Sequence, residues 1–214
     1  MDPLESVLRT PSGAGRRARP PAFVELVDET GAAVGRTTVE EAHSGDGALH
    51  RAFSAFVFDD DGRLLLQRRA LTKSRFAGLW SNTCCSHPEA DAVERCATER
   101  MHDELGLATA DLTRCGAVIY RAADPGSHYV EHEYDHVLVG RALGDPADPD
   151  PAEVAEWRWI GPLELAAEVE RTPGRFTPWF ALTLPAAMVG ACGAGLADAR
   201  LVPCSASGPG LLGV

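Results

Sequence analysis

The stretch "AFSAFVFDDDGRLLLQRRA" (residues 52–70) constrains the fold most. Two β-rich runs flank the turn residues Asp59 to Gly62, which predicts a hairpin at the heart of a sheet. Strand patterns recur on either side of it. "FVELVDETGAAVGRTT" reads as two short strands around a glycine turn, and "LWSNTCC", "CGAVIYRA", "VEHEYDHVLVGRAL" and "AEWRWIG" read as further strands. The clearest helix is "DAVERCATERMHDELGL". There Val93, Cys96, Ala97, Met101 and Leu105 fall at helical spacing, Asp91 can cap the start and Gly106 can stop the end. "PLELAAEVE" and "PWFALTLPAAM" read as closing helices. Many strands with few helices, and no regular alternation of the two, predict an α+β class: a mixed β-sheet sandwich flanked by helices.

Residues 23–189 carry this pattern and form the expected working domain. Residues 1–22 read as a flexible arm rich in Arg, Pro and Gly, and residues 190–214 as a weakly structured tail. The formal charge of −11 and the 45% apolar content fit a soluble acidic globule and argue against a nucleic-acid binder. An anionic ligand must then meet a local basic cluster. No apolar run reaches the roughly 18 to 20 residues that span a bilayer, and Asp2 and Glu5 stand where a signal peptide would be basic and then apolar. A cytoplasmic protein without membrane partners is expected, monomeric or weakly dimeric. The six cysteines read as reduced thiols.

Chemistry-bearing residues fall into four groups. In "SNTCCSHP", strand parity turns Cys85 and His87 to one face and Cys84 and Ser86 to the other. A zinc knot built on this Cys/His pair would need a second closely spaced Cys pair, which the chain lacks. In "VEHEYDH", Glu131 and Glu133 share a face, either as a solvated pair or neutralised by a cation. "AHSGDGALHRAF" sets His43 and His50 across a glycine-containing loop. Three histidines and two carboxylates that converge would make a nitrogen and oxygen site open to Zn2+, Mn2+ or Mg2+. The third group is "QRRALTKSR", where Arg68, Arg69, Lys73 and Arg75 form either a solvated basic loop or a clamp for phosphate or diphosphate. In the fourth, Arg100 and Glu104 lie four apart on the long helix. They form a simple ion pair, or Glu104 binds Mg2+ with Arg100 near an anionic substrate.

Taken in order, "AHSGDGALHRAF", "QRRALTKSRFAGLWSNTCCSHP", "ERMHDELGL", "YRA" with "VEHEYDHVLVG", and "FTPWF" resemble the type 1 isopentenyl-diphosphate isomerases of the Nudix-fold superfamily. The likeness spans about Val24 to Met188. It implies a Nudix-type sandwich and interconversion of isopentenyl and dimethylallyl diphosphate. One divalent metal (Mn2+, Zn2+ or Mg2+) would be held by His43, His50, His87, Glu131 and Glu133. It further implies Cys85 as catalytic thiol, with Cys84 matching a position that is not catalytic. Tyr120 would hydrogen-bond the acidic Glu133, and Trp179 would face the reacting carbons. Arg69, Lys73 and Arg100 would contact the diphosphate, and Glu104 would ligate an Mg2+ ion bound with it. A Nudix diphosphate hydrolase and a catalytically silent metal-binding module are the alternatives. Against hydrolysis, the Nudix hydrolase box is eroded here. Ser86 stands for its first glycine, Asp91 for its first glutamate and Glu99-Arg100 for Arg-Glu, which leaves Asp103 and Glu104 in register.

Overall fold

The structure, a computed structural model, describes residues 22–89 and 92–198. The arm up to residue 21, the tail from residue 199, the Asp91 cap and Cys204 lie outside the described residues. In chain order the elements are Phe23–Val27 (β1), Ala33–Thr38 (β2), Val39–Ala42 (α1), His50–Phe58 (β3), Leu64–Arg69 (β4), Trp80–Ser81 (β5), Cys84–Ser86 (β6) and Val93–Leu105 (α2). They continue with Thr113–Ala123 (β7), Val130–Arg141 (β8), Val154–Ile160 (β9), Pro162–Arg171 (α3) and Pro178–Gly193 (α4). The last helix thus runs into residues 190–193, which the sequence assigns to the tail.

The sheet is mixed, as the sequence predicts, but the expected hairpin is not a hairpin beyond its turn. β3 and β4 pair only at Phe58 and Leu64. The reason is competition for edges. β8 runs parallel along one edge of β3 from His50 to Phe58, and β6 takes the other edge at Phe53 to Ala55. β4 in turn lies between β9 and β5. The two strands splay, and side chains from the following segment close the gap. Thr83 Oγ1 accepts from the Val57 amide of β3 at 2.9 Å and donates to the Leu65 carbonyl of β4 at 2.8 Å. Those two backbone groups would otherwise be buried without partners, a cost of roughly 1–3 kcal/mol each. "LWSNTCC" is accordingly not one strand. It breaks at Asn82 and Thr83, whose side chains take the place of a ladder.

All nine residues of β3 are buried, because helices cover both faces of the sheet. On one face Phe53, Ala55, Val57 and Leu138 meet Val93, Ala97, Met101 and Leu105 of α2. On the other, Phe56, Phe58, Val137 and Val139 meet Phe180, Ala186, Ala187 and Met188 of α4. Each large side chain fully withdrawn from water contributes about 1.5–3 kcal/mol before entropy is counted. The α2 stripe forms as its spacing predicts, and Gly106 ends the helix at φ 60°. A Cβ at that position would stand 1.7 Å from the Ala147 carbonyl oxygen, so only glycine fits.

Candidate active site

Strand parity separates the two adjacent thiols as expected. Cys84 is fully buried in the core beneath α2, whereas Cys85 packs on the other face against a small cluster formed by Phe76, Tyr120 and Trp179. Three strands deliver the polar groups of this second face. His50 opens β3 opposite Glu133 of β8, and Tyr120 of β7 stands opposite Glu133 from the other side. His43 follows α1, whose start is fixed by a capping box between Thr38 and Glu41. His87 follows β6.

Five side chains converge. One ligand atom from each of His43, His50, His87, Glu131 and Glu133 lies within 4.8 Å of all the others, the only such group among the described residues. His43 Nε2 is 2.7 Å from Glu131 Oε2, while His50 and His87 Nε2 stand 3.7 and 3.2 Å from Glu133 Oε1. Second contacts aim two of the rings: His43 Nδ1 is 2.6 Å from the Val39 carbonyl and His50 Nδ1 is 2.8 Å from that of Ala48. A ring that donates from Nδ1 keeps Nε2 as a bare acceptor, which is the form a metal takes up. His43 Nε2, His50 Nε2 and Glu131 Oε2 are buried and make no hydrogen bond, the 2.7 Å approach of His43 to Glu131 setting one acceptor against another. Buried polar atoms without partners are costly. A three-nitrogen, two-carboxylate set with its free lone pairs turned inward therefore fits a divalent cation.

Glu133 links this cluster to the aromatic face that carries Cys85, the candidate substrate pocket. Its Oε1 faces the histidines, and its Oε2 accepts from Tyr120 Oη at 2.6 Å. Burial works to raise the carboxyl's pKa, yet the neighbouring His50 and His87 imidazoles hold it well below the usual range. The Tyr120 phenol is pushed well above its ordinary value by burial and by the charge of Glu133. Burial, then the nearby Asp135 carboxylate, pushes the Cys85 thiol up to about 12, so it carries its proton at neutral pH. The hydrocarbon wall is aromatic. Trp179 stacks beside Tyr120 at 6.3 Å and meets Phe76 edge-on at 5.3 Å.

The basic residues divide. Lys73 pairs with Glu153, and Arg100 lies 3.7 Å from the same carboxylate while bonding Glu104. Two of the three expected diphosphate contacts are thus gathered at one acidic residue. Arg69 stands apart from them, over the Trp179 ring at 5.4 Å, and its guanidinium ties down the Arg75 and Phe76 carbonyls. Glu104 does not join the five-residue cluster. It is buried on the Cys84 side of β6, where burial raises its pKa against the pull of Arg100.

Three further residues lie among these groups: Arg75, which the basic run already includes, and Glu153 and Asn82, which the motifs do not single out. Glu153 has no signal in its loop. Arg75, one member of a basic run, donates from Nε to Glu131 Oε1 at 3.0 Å. Asn82 sits inside "SNTCCSHP", and the signal for it is a polar pair that breaks an apolar strand run.

The fold and site compare directly with known proteins. The NUDIX domain family matches residues 48–180, so the chain belongs to that family. A crystal structure of DR0079 from Deinococcus radiodurans shares the fold, with a TM-score of 0.54 at 17% identity over 70% of this chain and 89% of that one. In sequence the chain is 53% identical over 162 residues to the isopentenyl-diphosphate Delta-isomerase of Nocardia farcinica, covering 75% of this chain and 91% of that protein. It is 45% identical to the one from Halorhodospira halophila, over 73% of this chain and 90% of that protein. Within the NUDIX family, the chain belongs to the isopentenyl-diphosphate Delta-isomerases.

Proposed function

We propose that the protein interconverts isopentenyl and dimethylallyl diphosphate by a 1,3-allylic proton shift. The observation that carries this reading is one juxtaposition: the Cys85 thiol and the Tyr120-bound Glu133 meet one aromatic cluster made by Phe76, Tyr120 and Trp179. An unactivated alkene is a weak base, so the reaction needs a proton donor at one carbon and an acceptor at another. Cys85 and Glu133 fill these roles, one adding a proton and the other removing one. Trp179 offers its π face to the cationic character that develops between them. Burial of the pocket protects that cation from capture by water.

His43, His50, His87, Glu131 and Glu133 would hold one divalent ion, Mn2+, Zn2+ or Mg2+. When bound, it would offset the two carboxylate charges and polarise the Glu133 carboxyl. Lys73, Arg100 and Arg69 would bind the diphosphate, with Glu104 ligating the Mg2+ that accompanies it. No helix among the described residues is long and apolar enough to cross a membrane. A cytoplasmic monomer or weak homodimer working on a small molecule fits this reading.

Hydrolysis finds little support. Asp103, one of the two box carboxylates left in register, has 69% of its side chain exposed, and Glu104 is already paired with Arg100. The test is incubation with isopentenyl diphosphate and Mg2+ with all products followed. Dimethylallyl diphosphate is expected; released phosphate or pyrophosphate, or no change, would overturn the proposal.

A further inference from the structure

We infer that Asn82 is a positioning residue that ties the Cys85 thiol and the Trp179 ring to a single oxygen atom. The inference rests on the isomerase reading for its catalytic meaning, but its geometry stands without it.

Asn82 is fully buried in the break between β5 and β6. Its Nδ2 donates to the Ala55 carbonyl at 3.1 Å and to the Cys84 carbonyl at 2.8 Å. Both partners can only accept, which fixes which end of the amide is nitrogen. Oδ1 therefore points the other way, into a set of three donors: Cys85 Sγ at 3.0 Å, Trp179 Nε1 at 3.2 Å and Ser81 Oγ at 2.9 Å. An amide oxygen only accepts and an indole N–H only donates, so the thiol must donate as well. The other polar atoms near Cys85 are more distant, Ser54 Oγ at 3.8 Å and Ser81 Oγ at 4.0 Å.

Two consequences follow for the pocket. The thiol hydrogen is aimed at Asn82, which fixes the rotation about the Cβ–Sγ bond. The Trp179 ring cannot swing without leaving its N–H unpaired in a buried place. One side chain thus sets both the proton-carrying group and the aromatic face that the reaction is proposed to use. It is itself clamped to β3 and β6 through the backbone. Errors of about an ångström in such alignment cost on the order of a hundredfold in rate.

Asn82→Ala removes both ends of the amide, so the test rests on readouts that loss of the Nδ2 contacts alone would not give. A purely structural role lives on Nδ2 and its two carbonyls; the positioning role lives on Oδ1. Asn82→Ala, Trp179→Phe and the double variant are compared by kcat and KM, with bound metal measured as the check on folding. The expected result is a fall in kcat of roughly tenfold to a hundredfold for Asn82→Ala, with KM changed by less than about threefold. The double variant should be little worse than the poorer single one, because both substitutions break the same tie. Losses that simply multiply would overturn the proposal. A second measurement needs neither an Asn82 variant nor any turnover. The Trp179 indole N–H resonance, assigned through Trp179→Phe, should move in Cys85→Ala, where one donor to the shared oxygen is gone, and stay in place in Cys84→Ala. An indole resonance equally indifferent to both substitutions would reject the shared oxygen, and would do so whether or not the protein proves to be an isomerase.

Discussion

Tyr120 and Glu133 face each other across the β7–β8 ladder, and the phenol donates to the carboxylate at 2.6 Å. The other oxygen of the same carboxylate faces the histidines, so Glu133 is shared between Tyr120 and the cluster. A hydrogen bond to a charged group is worth about 1.5–3 kcal/mol. Tyr120→Phe should therefore lower kcat by roughly tenfold to a hundredfold while the protein keeps its metal. Unchanged turnover in that variant would remove Tyr120 from the machinery.

If the five-residue cluster holds the proposed ion, its retention should depend on the histidines more than on the fold. His87 is held by no element of its own beyond the end of β6, and its Nε2 reaches Glu133 at 3.2 Å. Elemental analysis of His87→Ala should show most of the bound divalent ion lost, with the circular dichroism spectrum intact. Full occupancy would mean that the five-residue cluster is not the metal site.

The proposed diphosphate clamp gives a prediction that separates its members. A five-carbon substrate draws most of its binding from its charged head, so Lys73→Ala and Arg100→Ala should each reduce kcat/KM at least tenfold, about 1.4 kcal/mol. Arg69→Ala should also lower kcat/KM by that factor. Because Arg69 stacks on Trp179, part of its loss should appear in kcat. Three variants with wild-type kcat/KM would dismiss the clamp.

Much of this site is legible in the sequence because strand parity is a strict rule. Parity alone groups Cys85 with His87, and Glu131 with Glu133, and the α2 stripe follows from helical spacing in the same way. What parity cannot supply is pairing. β3 looks like half of a hairpin because its turn to β4 is ideal, yet which strand takes which edge is decided by β8 and β6, far away in sequence. The same blindness hides Asn82 and Thr83. Their importance arises from backbone groups that the splay of β3 and β4 leaves open. Glu153 is found only once the β9 loop brings it to Lys73 and Arg100.

His136 offers a test of the core's electrostatics away from the pocket. It accepts from Arg51 Nη1 at 3.1 Å, and burial, with Arg114 and Arg51 close by, lowers its pKa to about 4. An unfolded histidine titrates near 6.5. The unfolded chain therefore binds the proton first, and the stability associated with neutral His136 is present above about pH 6.5 and is lost as pH falls towards about 4. Denaturant unfolding across that window should show a shallower decline for His136→Gln than for the parent. Parallel declines would show that His136 titrates normally in the folded protein.

Cys85, and not its neighbour, is the thiol assigned to face Glu133 across the reacting carbons, and everything else in the proposed reaction depends on that choice. The direct measurement is isomerisation of isopentenyl diphosphate in D2O by Cys84→Ala and Cys85→Ala, with deuterium in the product read by mass spectrometry. Cys84 is buried beneath α2 on the far side of β6, so its variant should keep most of its activity and place solvent deuterium in dimethylallyl diphosphate. Cys85→Ala should be inactive while remaining folded and metal-loaded, since only a proton-transfer group is lost. An active, deuterium-incorporating Cys85→Ala beside a dead Cys84→Ala would contradict both the strand register and the catalytic assignment.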